Sequence, residues 1–248
     1  MSIAEVTPGI KQTDLHDDVR IQLGPDWSVA DESGCPDVVT RIREAFRVSP
    51  SEQTSRVTLS PDTSLPTEAY TVSLEPAAVT IRSSGRAGFH HAVSTLLQLR
   101  DGPILPTGTL SDAPRLPVRG LHFMFETVNQ LGFRDALSLL ESAARHKLNT
   151  ILMEFGDRFP FEGKHAVIAS PSALSRAELR QLVARADELG ITIIPLVQSL
   201  GHLNYVLKHD QYASVQEEDE VRHQLCPLND ASFQLWTELA EQILSFFP

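Results

Sequence analysis

The feature that most constrains this chain is a strand–helix alternation that runs three times after residue 118. A strand RGLHFMFE (119–126) precedes a helix over about 134–146, and NTILMEF (149–155) precedes a helix over 176–189. ITIIPLVQ (191–198) opens a third unit. The second and third strands are almost unbroken apolar runs, the pattern of parallel strands buried on both faces. Gly190 follows the second helix where a left-handed cap belongs. Asn229 or Asp230 can cap a last helix running to Phe246. This pattern predicts an α/β fold. A complete eight-stranded β/α barrel needs about 250 residues, and only about half of that follows residue 118. The pattern alone therefore leaves an incomplete barrel or a small open α/β sheet.

The front of the chain has a different rhythm. Residues 1–17 are polar and irregular and read as a loose lead-in, after which Val19, Ile21 and Leu23 alternate as in a strand. Pro36 opens a helix with Val38, Val39, Ile42 and Phe46 on one face. Val57 and Leu59 mark a short strand that stops at Pro61-Asp62. EAYTVSLE (68–75) and AVTIRS (78–83) read as two strands joined across Pro76-Ala77, short enough for a hairpin. A helix from about Ala87 to Leu99 carries Phe89, Val93, Leu96 and Leu97 on its apolar face. Strands and helices without strict alternation predict a small α+β domain over residues 1–112. The segment 101–117, with Pro103, Pro106, Pro114 and Pro117, reads as a loop and the domain boundary, leaving 118–248 as the second domain.

Composition removes several function classes. Net charge is −11 and the isoelectric point is near 5.2, which disfavours a phosphate backbone as partner. No stretch approaches the roughly 18 apolar residues of a membrane span. Cys35 and Cys226 are far apart and in no metal-ligand spacing, as suits free thiols in a reducing compartment. The N-terminus lacks a basic start and an apolar core, so a cytoplasmic location is expected.

Enzymes built from parallel β/α units keep their chemistry at the carboxyl ends of the strands. Here those ends carry Glu126; Glu154 running into Gly156, Asp157 and Arg158; and Gln198, Ser199, Leu200, Gly201 and His202. A polar strand end by itself is most often a solvated loop. His122, His202 and His209 do not make a metal spacing such as H-E-x-x-H. His90 and His91 lie on a helix about 100° apart, so they cannot easily share a metal and are expected at a partly exposed surface. Gly85–Gly88 lacks the Lys-Ser/Thr of a phosphate loop, and no G-x-S-x-G elbow exists.

Several segments taken together are more specific. LPVRGLHFMFE, HKLNTILMEFGDRFPF and GITIIPLVQSLGHLNYVLKHDQYA resemble the first three barrel strands of glycoside hydrolase family 20, the retaining β-N-acetylhexosaminidases. QLCPLN is similar to a segment of the intracellular-type branch. EAYTVSLEPAAVTIRSSGRAGFHHAVSTLLQL is similar to the α+β domain ahead of that barrel. The resemblance covers about residues 55–248. It implies a small α+β domain followed by a (β/α)8 TIM barrel, of which about the first three units are present.

The activity so implied is removal of terminal, β-linked N-acetylhexosamine from a glycan or glycoside. The sugar's own acetamido oxygen attacks the anomeric carbon, a Glu protonates the leaving oxygen, and the Asp before it holds the acetamido group. No metal or organic cofactor is implied, because the substrate supplies its nucleophile. The resemblance puts the Asp-Glu pair at the end of a fourth strand. Asp31-Glu32, Asp187-Glu188 and Asp219-Glu220 follow no apolar strand and read as solvated surface. The acid pair is thus expected beyond Pro248, and this chain alone is expected to be inactive.

Three residues match family positions. Arg119 matches an arginine that grips sugar hydroxyls, its alternative being a surface ion pair. Asp157 matches a carboxylate near the sugar, its alternative being a turn residue beside Gly156. His202 matches a histidine behind the catalytic acid that can orient it, its alternative being a loop histidine bonded to backbone. Gln198 and Met124 stand where many members carry Asp, and Gly156 is a further departure. These changes keep open a non-catalytic carbohydrate-binding or degenerate relative. A different barrel hydrolase sharing only the strand pattern is a second alternative.

Overall fold

The computed structural model describes residues 6–125, 131–218 and 221–247. The chain divides into two compact units: Met1–Arg119 with Glu141–Asn149 and Glu188–Gly190, and Gly120–Leu140 with Thr150–Asp187 and Ile191–Pro248.

The first unit is a six-stranded mixed sheet with two helices. In chain order its elements are β1 (Gln12–Gln22), β2 (Trp27–Asp31), α1 (Pro36–Phe46), β3 (Ser55–Pro61), β4 (Tyr70–Glu75), β5 (Ala78–Ser83), α2 (Arg86–Leu99) and β6 (Ile104–Asp112). The spatial order is β1-β6-β4-β5-β3-β2. The β2–β3 and β3–β5 pairs are parallel; the β4–β5, β4–β6 and β1–β6 pairs are antiparallel. Strict alternation on β3, β4 and β5 sends Val57, Leu59, Val72, Leu74, Val79 and Ile81 to one face, where all are buried. There they join Val38, Ile42 and Phe46 of α1 and Phe89, Val93 and Leu96 of α2 in one core. Each such side chain contributes roughly 1.5–3 kcal/mol when fully buried.

Two sequence expectations fail here. Residues 1–17 are not a loose lead-in throughout, since β1 starts at Gln12 and pairs along β6. The part of β1 before Val19 is an edge solvated on both faces and carries no alternation to read, and Ile21 is the one buried residue of the strand. Likewise 101–117 is not all loop, because β6 occupies Ile104–Asp112. Pro106 lies past the last β4–β6 pair, Leu74 with Gly108, and next to the register shift of β1. At that place a missing N–H costs no ladder bond toward β4. The strand β2 had no expectation at all.

The second unit is built on β7 (Gly120–Met124), β8 (Thr150–Glu154) and β9 (Thr192–Leu196), three parallel strands in that spatial order. The sheet is not closed. Between its strands run α3 (Phe133–Arg145) and α4 (Arg176–Glu188). Gly190 has φ +70°, the left-handed cap expected of it. After β9 come the short α5 (Asn204–Leu207), the hairpin β10 (Gln216–Glu218) with β11 (Val221–Leu225), and α6 (Asp230–Leu244). The Asn229 side chain accepts from the Ala231 N–H and caps α6. No helix among the described residues is long and apolar enough to cross a membrane.

The parallel register puts His122, Leu152 and Ile194 side by side, and likewise Met124, Glu154 and Leu196. Both rows lie on one face of the sheet by alternation. On that face His122, Met124 and Ile194 are exposed. On the other face Ile151 and Met153 are buried. The apolar runs that suggested burial on both sides are thus covered on one.

Candidate functional site

The carboxyl ends of β7, β8 and β9 bring together three polar side chains. The carboxylate of Glu154, at the end of β8, is 4% exposed. Its Oε1 accepts from Gln198 Nε2 at 2.6 Å, and its Oε2 lies 3.1 Å from His122 Nε2. His122 comes from β7 and Gln198 from just past β9, so one buried acid is held by both neighbouring strands. The His122 side chain is 43% exposed on the open face. A buried carboxylate is tolerated when hydrogen-bonded, and two donors on two oxygens fix its plane. Among the described residues, no group of three His, Cys, Asp or Glu could hold a metal ion.

The loop after β8 is rigidly seated. Gly156–Arg158 form one 3₁₀ turn, and Gly156 has φ +48°. Glycine at this position therefore has a backbone reason. Arg158 is buried, stacks over Phe125 at 4.9 Å and donates to the Ser172 carbonyl at 2.7 Å. Phe125, Phe155 and Phe159 continue this packing to Phe247 and Phe246 just after α6, with ring centroids 5.6–6.5 Å apart. Asp157 sits in that turn, its side chain 13% exposed and 3.7 Å from Lys208 Nζ.

His202 is exposed, with φ +60°. Its loop is tied to β11 by Leu203 N–H to the His223 carbonyl and by Leu225 N–H to the Leu200 carbonyl. The His202 imidazole makes no hydrogen bond among the described residues. Glu126 lies outside the described residues, as do Asp219-Glu220 and Pro248. Asp31-Glu32 and Asp187-Glu188 are exposed.

Arg119 belongs to the first unit. Its Nη2 lies 2.5 Å from Glu68 Oε2 and 3.0 Å from His91 Nε2. Its Nε donates to the Lys147 carbonyl and its Nη1 to the Leu116 carbonyl, at 2.9 and 2.8 Å. These contacts fit the ion-pair alternative, although the pair is 15% and 14% exposed rather than superficial. Burial works to raise the Glu68 carboxyl, but bonds from Asn149 and Arg119 outweigh it and hold the acid below its usual range. Burial drives His91 down to about 4 and keeps it neutral, with a lone pair that can accept from Arg119. Beside it, Lys147 Nζ bonds Asp112 Oδ2 at 2.8 Å and Tyr70 Oη at 2.9 Å.

His90 and His91 are buried, at 2% and 5% exposure, which corrects the expectation of a partly exposed surface. The angle between them on α2 sends each to a different acid: His90 Nε2 to Asp37 at 2.7 Å, His91 Nε2 to Glu68 at 3.2 Å. Sequence reasoning named Glu154 and Gln198 as strand ends but did not join them to His122. The available signal was alternation counted back from the strand ends: His122 lies two residues before Met124, on the same face.

Residues 2–113 match the family model described as glycosyl hydrolase family 20, domain 2. Hexosaminidase D of Bos taurus is 33% identical over 100 residues, which cover 40% of this chain and 29% of that protein. The β-hexosaminidase of Vibrio furnissii is 24% identical over 221 residues, covering 73% of this chain and 36% of that protein. Among solved structures, the β-N-acetylhexosaminidase from Bacteroides fragilis superposes with a TM-score of 0.81 at 19% identity, over 98% of this chain and 55% of that one. The family 20 exo-β-N-acetylglucosaminidase from Vibrio harveyi, solved in complex with N-acetylglucosamine, gives 0.79 at 18% identity, over 100% and 46%. The chain thus has the mixed α+β fold of these structures. It spans about a third of the length of the curated relatives and about half that of the solved ones.

Proposed function

We propose that the chain, whose residues 2–113 match the model of glycosyl hydrolase family 20, domain 2, is part of an enzyme that removes terminal β-linked N-acetylhexosamine by substrate-assisted, retaining hydrolysis. The observation that carries the reading is the match of residues 2–113 to the domain such enzymes place ahead of their barrel. The three parallel strands, with polar groups at their carboxyl ends and one face open, fit the first units of that barrel. In this reading Asp157 is a carboxylate beside the sugar and His202 supports the acid. Arg119 keeps the sugar-gripping role only if a sugar can compete for a guanidinium already bonded at all three nitrogens. In this reading the Asp-Glu pair belongs at the end of a fourth strand, and the sheet of the second unit has three among the described residues.

A binding-only or degenerate relative is the second reading. It is favoured by Met124, which stands 45% exposed beside Glu154 where many members carry an acid. Hydrolysis of a chromogenic β-N-acetylglucosaminide separates the two. Turnover by a longer product carrying a fourth strand, and not by the 248-residue chain, is the expected result. Turnover by the 248-residue chain would mean that the acid has been misassigned, and silence in both favours the binding reading.

A further inference from the structure

We propose that His122 is a sugar-binding residue, and that Glu154 and Gln198 position it so that its Nδ1 accepts a hydrogen bond from a ring hydroxyl of a neutral sugar. The inference rests on the hexosaminidase reading and adds to it a contact and that contact's support.

The argument starts from Glu154. Its carboxylate is acceptor-only when ionised, and both oxygens are used, Oε1 by Gln198 and Oε2 by His122. The hydrogen of His122 must then sit on Nε2, and in the neutral ring Nδ1 holds the lone pair. Nδ1 makes no hydrogen bond among the described residues, and the ring stands on the open face of the sheet. A carboxylate behind an imidazole that fixes which nitrogen carries the hydrogen is the arrangement by which proteins aim the other nitrogen at a ligand.

The ligand class follows from what surrounds the ring. Glu154 has its charge answered by two donors, so it does not call for a cation, and no third metal-type ligand stands by. The three polar side chains include no Lys or Arg to hold an anion. Met124 and Leu152 lie beside His122 on the same face, with Ile194 one strand further, and can meet the C–H surface of a sugar ring. A neutral molecule with hydroxyl donors and an apolar flank fits this set.

The test is titration of the full 248-residue chain, labelled with ¹⁵N, with N-acetylglucosamine while its imidazole signals are followed. The expected result is His122 with hydrogen on Nε2 and an Nδ1 signal that shifts on sugar addition. His122→Phe should weaken binding three- to tenfold, the scale of one neutral hydrogen bond. Glu154→Gln should also weaken it, because the new amide nitrogen then faces one of two donors. The exchange Glu154→Gln with Gln198→Glu should restore it, since the amide then at position 154 would donate to the carboxylate at position 198 and still accept from His122. A purely structural role for the trio predicts no sugar-dependent shift at Nδ1. If the chain binds N-acetylglucosamine with the His122 signal unmoved and H122F affinity unchanged, the inference falls and the hexosaminidase reading stands. If no sugar binds to the 248-residue chain, the inference falls, and the hexosaminidase reading is decided separately by turnover in the longer product. Should H122F fail to fold, the wild-type Nδ1 signal and the exchange variant decide.

Discussion

Lys147 shows how the first unit accommodates a buried charge. Its ammonium is 5% exposed and Asp112 is 9% exposed, with 2.8 Å between them. Burial pulls the Lys147 ammonium below the ordinary lysine range, against the opposing pull of Asp112. Tyr70 Oη closes the group, 2.9 Å from Lys147 Nζ and 2.5 Å from Thr95 Oγ1, and burial with the Asp112 charge beside it keeps the phenol protonated. Removing one partner of such a pair strands the other charge in a poor solvent, so Asp112→Asn should cost about 3 kcal/mol and Lys147→Met a similar amount. Replacing both should cost clearly less than the sum, because neither charge is then stranded. Urea unfolding of the two single variants and the double variant measures this; single costs under about 1 kcal/mol would show the pair to be solvated.

At the scale of the element, α2 is a helix with no exposed stripe over most of its length: Gly88 through Leu96 are all buried. A Cβ added at Gly88 would lie 2.0 Å from Ser83 Oγ and 2.6 Å from the Ala69 carbonyl oxygen. Gly88→Ala should therefore lower stability by about 3 kcal/mol, at the upper end for overpacking. Removing the hydroxyl with Ser83→Ala should not rescue it, because the carbonyl cannot move without shifting the chain before β4. Full rescue in thermal unfolding would show that the hydroxyl alone set the limit. This element also marks where sequence reading succeeds and stops. Its limits were legible within one residue from Gly85 and the 3.6-residue apolar rhythm, and β3, β4, β5 and α1 were legible in the same way. That both faces of α2 are covered was not, because a stripe of Phe89, Val93 and Leu96 looks the same whether or not His90 and His91 find acids elsewhere. The first half of the edge strand β1, before Val19, and the proline-bearing β6 were hidden for the converse reason: their pairing comes from neighbours, not from their own pattern. In the candidate site, Glu154 and Gln198 were legible as strand ends. Their meeting with His122 depends on the register of three strands, which no single stretch of sequence records.

At the scale of the whole molecule, the two buried histidines make the stability of the first unit depend on pH. Burial holds His90 and His91 each at about 4, below the ordinary 6.5. The groups facing them are Asp37, Arg41 and Arg86 around His90, and Glu68, Arg119 and Lys147 around His91. Between pH 6.5 and 4 the unfolded chain takes up protons at these positions and the folded unit does not. Stability of the first unit is then full above about pH 6.5 and is lost as pH falls toward 4, by roughly 2–3 kcal/mol per histidine. Asp37 and Glu68, both held below the usual carboxylate range, extend the loss in the same direction at lower pH. The chain offers a clean reporter, because its two tryptophans are divided: Trp27 is buried in the first unit and Trp236 lies in the second. In a Trp236→Phe background, the urea midpoint read from Trp27 fluorescence should fall steadily from pH 6.5 to 4. His91→Gln keeps an acceptor for Arg119 but removes one titration, so it should roughly halve that slope. A midpoint flat across the window would mean that the imidazoles find water or charge in the folded state, and the assignment of both as neutral buried groups would have to be given up.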